Sequence, residues 1–229
     1  MFENLSHIIA RYIPGDDDYN LNRIYRLRYA VYCDEKQFIP REEIAGTVEM
    51  DEYDNGHSLH FIVTDTRDPS VEDETLGTVR LVKYSDELGF PTGKHHPALY
   101  EKLAGYDTSS IAEISRLCVA QNFRRRRDDD LYGVGSYLGG DERRKYPIVM
   151  LSLLKEMYRV SKTSGITHWI SSMEDTLYRY LKSISMVFEP LDEDYIEYYG
   201  KVKSYIMDIG VAEQRLASKR SDLYQYFQC

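Results

Sequence analysis

Cysteine is scarce in this chain. Cys33, Cys118 and Cys229 are the only three in 229 residues. Their number is odd and they stand far apart, so no disulfide framework and no metal-binding spacing can be read from them. They fit a reducing compartment, and a cytoplasmic location is expected. His57, His60, His95, His96 and His168 form no HExxH or similar pattern, so no metal site is expected. No Cys/His/Asp spacing suggests an activated nucleophile, and Cys118 reads as a small buried hydrophobe. No apolar run approaches the ~18 residues of a membrane span. The opening MFENLSHIIARYIPGDDD lacks the basic start and apolar stretch of a secretory signal. A basic surplus is missing too. The net charge is −9, which argues against general nucleic-acid binding. There is no internal repeat and no long low-complexity tract.

What is present describes an ordinary globular chain. Its length suits a single domain over residues 1–229 that buries roughly 70% of the surface of its unfolded form. The apolar fraction, 42%, is typical. The 21 tyrosines are unusual. Two readings stay open for them: amphipathic packing at the core margin, or a substrate cleft lined by some of them.

Periodicity orders the elements. Residues 20–36, NLNRIYRLRYAVYCDEK, carry Ile24, Leu27 and Val31 at helical spacing, with Pro40 soon after. Residues 41–57 are acidic and read as irregular. SLHFIVTD (58–65) and TLGTVRLVKY (75–84) read as strands joined by a turn, an antiparallel hairpin. PALYEKLAG is a short helix within a loop over 85–110, and IAEISRLCVA (111–120) is a third strand. Residues 124–146 mix RRRRDDD, GVGSYLGG and DERRK without a period and read as a mobile loop. PIVMLSLLKEMYRVSKTSG is a well-buried helix, opened by Pro147 and closed by Gly165. ITHWISSM (166–173) is a core strand, and TLYRYLKSIS is a helix. MVFEPL and IEYYGKVKSYIMDI read as one or two closing strands, and VAEQRLASKRSDLYQYF is a terminal helix. The order predicts an α/β chain, a mixed sheet with helices on both faces.

Two of the strands carry charge in their middles. Strict alternation puts Glu113, Ser115, Leu117 and Val119 on one face, and Ile114, Arg116 and Cys118 on the other, unless a bulge intervenes. A charge buried in a strand is costly unless paired. Glu49, Asp51 and Asp54 in VEMDEYDNG, and Arg28 on the first helix, are candidate partners for Arg80, Glu113 and Arg116. Such a cluster ties the N-terminal segment to the sheet, or shapes a polar pocket, or does both.

Four spacings carry a resemblance. Arg28, Tyr32 and Phe38 form one; Glu49, Asp51 and Asp54 a second; Gly77, Arg80 and Leu81 a third; Glu113, Ser115 and Arg116 a fourth. In this order they resemble the motifs of acyl-homoserine-lactone synthases. YRLRYAVYCDE, EMDEYD, LGTVRLV, AEISRLCVAQNFRRR and SGITHWISSMEDTLYRYL are similar to N-acyl amino acid synthases, and most to acyltransferases associated with PEP-CTERM/exosortase systems. The likeness covers roughly residues 20–205 of this sequence. It implies a GNAT-like three-layer α-β-α fold whose central, seven-stranded mixed sheet is split by a V-shaped cleft. Phe38 stands where the lactone synthases usually have tryptophan. FRRRRDDD replaces the Gly-rich loop that cradles the pyrophosphate of coenzyme A.

That replacement points to a donor on acyl carrier protein through its phosphopantetheine, with coenzyme A as the alternative and no bound cofactor. The carrier is acidic, and so is this chain, so docking needs a local basic patch. Arg124, Arg125, Arg126 and Arg127 are its candidates. Within 124–145 there are seven basic and five acidic residues, so the patch requires the acids to point away. The expected reaction is transfer of a fatty acyl group from acyl carrier protein to the amine of an amino acid. In that reading Glu113 is the base, directly or through a water. A backbone N–H near Val119 meets the thioester oxygen. Arg80 and Arg116 hold a polar wall through Asp51 and Asp54. One of them, or Arg28, pairs with an acceptor carboxylate. Tyr32 and Phe38 line the substrate site. The competing readings are a lactone synthase using S-adenosylmethionine, a coenzyme A-dependent N-acetyltransferase, and a non-catalytic binding module.

Overall fold

The computed structural model describes residues 7–67, 74–121 and 148–228. The chain divides into two compact units, one of residues 1–80 and 116–157, the other of 81–115 and 158–229. Among the described residues the strands form an eight-stranded mixed sheet flanked by helices, the α/β architecture expected of a GNAT-like fold. The expected strand count was seven.

The first unit opens on β1 (Ile8–Ile13), antiparallel to β2 (Ser58–Asp65) from Ile8↔Asp65 to Ile13↔His60. Sequence reading missed β1, because its half-buried IIARYI sits against the Pro-Gly-Asp run that follows. Helix α1 (Asp18–Tyr29) starts where Asp17 accepts the Asn20 N–H at 3.1 Å, satisfying a donor that the helix itself leaves unpaired. Leu21, Ile24, Tyr25 and Arg28 form its buried face. Apolar Ile13, Leu21, Ile24, Tyr25 and Ile62 pack together beneath it. The helix expected over 20–36 changes character at Ala30. Residues Ala30–Glu35 form a π-helix, whose wider turn is closed by the Lys36 N–H on the Val31 carbonyl at 3.0 Å. The segment 41–57 is not wholly irregular, since Arg41–Glu43 and Glu52–Asp54 are 3₁₀ turns.

Strands β3 (Glu74–Lys83) and β4 (Ile111–Val119) follow in the sheet order β1-β2-β3-β4. Each runs through both units. Every residue of β4 is buried, the signature of a strand covered on both faces. Gly77 is dictated by crowding. A Cβ there would lie 2.6 Å from Val149 Cγ1 and 3.2 Å from the Cys118 carbonyl oxygen. Val149 belongs to α3 (Ile148–Thr163).

In the second unit the order continues from β4 through β5 (His168–Met173) and β8 (Lys201–Asp208) to β6 (Glu189–Pro190). Strand β5 (His168–Met173) is parallel to β4 in the register Ile111↔His168 to Glu113↔Ile170, with α3 in the crossover that a parallel pair requires. That pairing ends at Glu113, although both strands continue. Helix α2 (Leu99–Lys102) precedes β4, and α4 (Asp175–Ser183) follows β5. Short β6 (Glu189–Pro190) and β7 (Ile196–Glu197) pair antiparallel with β8 (Lys201–Asp208), which also pairs with β5 from His168↔Asp208 to Met173↔Lys203. The single terminal helix expected from the sequence is two, α5 (Ile209–Lys219) and α6 (Ser221–Gln228), broken where Arg220 leaves helical geometry. Phe90, Leu99, Leu103, Ile111, Ile170 and Ile206 form this unit's apolar core around the start of β4.

Candidate functional site

Each unit holds one polar cluster. The first collects three arginines from three elements, Arg28 of α1, Arg80 of β3 and Arg116 of β4. It sets them against Glu49, Asp51 and Asp54 from a single short segment. Arg28 grips Asp54 with both terminal nitrogens, at 2.9 and 3.0 Å, and its Nε donates to Glu49. Arg80 grips Asp51 with both, at 2.6 Å each, and reaches Asp54 at 2.7 Å. Arg116 donates to Glu49 at 3.0 Å and to Asp51 at 3.1 Å. These are planar forks on carboxylates, the geometry guanidinium favours.

The segment is preshaped for this. Asp51 caps the Glu52–Asp54 turn by accepting the Tyr53 N–H, and the Asp54 carboxylate accepts the Asp51 N–H at 2.9 Å. Each arginine also has its own ring: Tyr25 at 5.3 Å from Arg28, Tyr53 at 5.8 Å from Arg80, Tyr32 at 5.5 Å from Arg116. The π-helix presents Tyr32 there, its hydroxyl on the Leu117 carbonyl at 3.3 Å and its ring 6.1 Å from Phe38.

Three cations meet three anions, so the cluster is self-neutralised. Burial pushes the Glu49 carboxyl up, but Arg28 and Arg116 outweigh it and hold its pKa below the usual range. Burial likewise opposes ionisation of Asp54, and Arg28 and Arg80 hold it far below that range. Asp51 is lowered against burial by the hydrogen bond and charge of Arg80. All three acids are therefore charged at neutral pH. Their side chains differ in access, with Asp51 18% exposed and Glu49 and Asp54 nearly closed off. Asp51 is the rim of the cluster.

The backbone of Arg116 has a positive φ of 52°, in the left-handed region that L-residues avoid. The strand departs from extended geometry at this residue, whose guanidinium is engaged by Glu49 and Asp51.

The second cluster is built on Glu113. Its carboxylate, 1% exposed, accepts the Thr92 backbone N–H at 2.9 and 3.2 Å and the Thr92 hydroxyl at 2.9 Å. Thr92 lies in the 3₁₀ turn Pro91–Lys94, whose proline fixes the entry to the turn. The turn is pinned by its neighbours. The Tyr100 hydroxyl accepts the Phe90 N–H at 2.8 Å and fills the space over Gly89 and Gly93, where side chains would collide with it. His95 stacks on Tyr198 with ring centres 4.1 Å apart. The Thr92 hydroxyl also meets the Ser172 hydroxyl at 2.8 Å, and Ser172 meets Ser204 at 3.0 Å.

Of the residues singled out from sequence, Arg28, Asp51, Asp54, Arg80 and Arg116 thus come together in the first cluster, with Tyr32 against Arg116 and Phe38 against Tyr32. Glu113 belongs to the second. Val119 is buried at the end of β4. Arg124–Arg127, and the loop expected over 124–146, lie outside the described residues. Sequence reading missed Thr92, Ser172, Ser204, Tyr25 and Tyr53 as members, and also His60, whose Nε2 lies 3.7 Å from the Asp54 carboxylate. The Pro91 turn was the available signal for Thr92, but nothing in the spacing ties it to a glutamate 21 positions later. No group of residues suited to a metal ion occurs among the described residues.

Residues 27–132 match the model of an acetyltransferase (GNAT) domain. No curated protein matches the sequence. Among solved structures, the acyl-homoserine-lactone synthase LasI is similar, with a TM-score of 0.61 at 13% identity, covering 89% of this chain and 90% of that one. FeeM, an N-acyl amino acid synthase from uncultured soil microbes, gives 0.58 at 13% identity, covering 92% and 96%. BjaI, a coenzyme A-dependent acyl-homoserine lactone synthase seen with S-adenosylmethionine and isopentyl-CoA, gives 0.61 at 15%, covering 96% and 99%. At these identities the likeness is one of fold. Together, the domain match and the shared fold support an N-acyltransferase.

Proposed function

We propose that this chain moves a fatty acyl group from acyl carrier protein to the amine of an amino acid. The observation that carries the proposal is Glu113, a buried carboxylate fixed by two groups of Thr92 and linked by hydroxyls to the partly exposed Ser172. A group so placed is suited to take a proton from an ammonium. The acceptor ammonium loses one proton to Glu113 and becomes a neutral amine. Its nitrogen attacks the thioester carbonyl, the C–N bond forms and the C–S bond breaks. The departing sulfur takes the second amine proton and leaves as a thiol. The developing oxyanion is assigned to a backbone N–H near Val119.

The first cluster we assign to holding the polar wall. Its guanidinium groups are engaged by Glu49, Asp51 and Asp54. Support for the carrier as donor is the FRRRRDDD run in place of a glycine-rich phosphate loop, with Arg124–Arg127 as the docking cations. Support for an amino acid acceptor is the motif likeness to N-acyl amino acid synthases, with Phe38 in place of tryptophan. The association with PEP-CTERM/exosortase systems rests on the same motifs.

A lactone synthase is the second reading, favoured by the fold shared with LasI and BjaI. The purified protein is incubated with palmitoyl-acyl carrier protein or palmitoyl-CoA, and with the twenty amino acids or S-adenosylmethionine, and products are read by mass spectrometry. An N-palmitoyl amino acid formed faster from the carrier is expected. An acyl-homoserine lactone overturns the acceptor, and preference for palmitoyl-CoA overturns the donor.

A further inference from the structure

The hydroxyls around Glu113 have a direction, and it can be derived from one end. A carboxylate only accepts, so the hydrogen between Thr92 Oγ1 and Glu113 Oε1 belongs to Thr92. With that hydrogen spent, Thr92 can only accept from Ser172, across 2.8 Å. Ser172 then has only lone pairs left for Ser204, so Ser204 donates to it across 3.0 Å. Every hydroxyl hydrogen in the chain Ser204–Ser172–Thr92 therefore points toward Glu113. Thr92 and Ser204 are buried, at 2% and 3% exposure, and Glu113 is more so, whereas Ser172 is partly exposed.

We propose that Ser172 and Thr92 form a proton relay, in which the acceptor ammonium meets the Ser172 hydroxyl and its proton reaches the buried Glu113 by way of Thr92. The inference rests on the acyl-transfer reading above. The ammonium donates to the remaining lone pair of Ser172 Oγ. Its proton passes to Ser172, the Ser172 proton to Thr92, and the Thr92 proton to Glu113, in one concerted shift. The products are a neutral amine, two intact hydroxyls and a protonated Glu113, so atoms and charge balance. The chain is already polarised in the required sense, and hydrogen bonds aligned this way strengthen one another. Tyr100 of α2 also feels the charge on this carboxylate.

The test compares wild type with Thr92→Val, Thr92→Ser, Ser172→Ala and Glu113→Gln. Each is given palmitoyl-acyl carrier protein and the twenty amino acids, over a range of pH. Thr92→Val keeps the shape and loses the hydroxyl; Thr92→Ser restores a hydroxyl. At neutral pH, Thr92→Val and Ser172→Ala are expected to turn over about 100-fold more slowly, with most of the rate recovered in Thr92→Ser. The deficit should shrink as pH rises toward the amine's own pKa, because the acceptor then arrives already neutral. A merely structural role for Thr92 would leave the deficit independent of pH, and that result overturns the relay. Thr92→Val turning over like wild type while Glu113→Gln is inactive also overturns it, and leaves the acyl-transfer reading standing. Absence of turnover by the wild type overturns both. Unfolding midpoints of the variants identify any that fail to fold. For such a variant, the infrared carboxyl band of Glu113 in Thr92→Ser decides: an unchanged band with recovered turnover supports the relay, and an unchanged band without it overturns the relay.

Discussion

His60 Nε2 stands 3.7 Å from the Asp54 carboxylate and nevertheless stays uncharged. Burial pulls its pKa down to about 4; Asp54 opposes this, and Arg28 and Arg80 reinforce it. Its ring meets Tyr25 edge-on at 5.7 Å, and its Nδ1 finds no hydrogen-bond partner among the described residues. The three acids beside it are already neutralised by three arginines, so a proton on His60 would be an excess charge.

The unfolded chain protonates this histidine near 6.5, the folded chain only near 4. Between these values the unfolded state binds more protons, so stability falls as pH falls, by about 3 kcal/mol in full. His60→Phe, which keeps an edge-on ring, should flatten this slope. Urea unfolding at several pH values through that window measures it. Glu49, Asp51 and Asp54 act lower. Their folded pKa values are depressed, so their contribution is present above the ordinary carboxylate range and is lost only as pH falls below it.

Arg116 combines a left-handed backbone with two ion pairs. Arg116→Ala leaves Glu49 and Asp51 short of a partner and should cost about 3–5 kcal/mol. Arg116→Gly loses the same pairs but accepts the positive φ, and should be about 1 kcal/mol more stable than the alanine variant. That reverses the ordinary preference of a strand interior. Thermal unfolding of both variants tests it, and equal stability would mean that the strand straightens once the guanidinium is gone.

Gly77 is held to glycine by contact. Gly77→Ala places a methyl against Val149 and the Cys118 carbonyl and should destabilise by about 1–3 kcal/mol. Val149→Ala added to it should return part of the loss, since the side chain can yield and the backbone oxygen cannot. A double-mutant cycle of unfolding free energies reads the coupling.

Much of this was legible in the chain itself, for a physical reason. Arg80 and Arg116 sit in apolar strands, and a buried charge demands partners, so EMDEYD could be matched to them across 26 to 67 positions before any geometry was known. The Arg116 turn of backbone was less accessible, because arginine has no preference for positive φ and only its partners enforce it. Ala30–Glu35 reads as ordinary helix, and nothing local marks the wider turn that delivers Tyr32. Thr92 was hidden for a third reason. Its partner lies on another element, and a threonine in a loop is usually solvated. Short β1 escaped because only its final residue is fully buried.

In the proposed reaction this chain attaches a fatty acyl group to an amine with Glu113 as base. Mass spectrometry of lipid extracts tests it most directly, comparing cells that overproduce the protein with cells that overproduce Glu113→Gln to the same level. A new N-acyl amino acid is expected from the wild-type protein and is absent, or nearly so, with the variant. The same lipid in equal amount from both would contradict the role of Glu113, and no new lipid from the wild-type protein would contradict the proposed reaction.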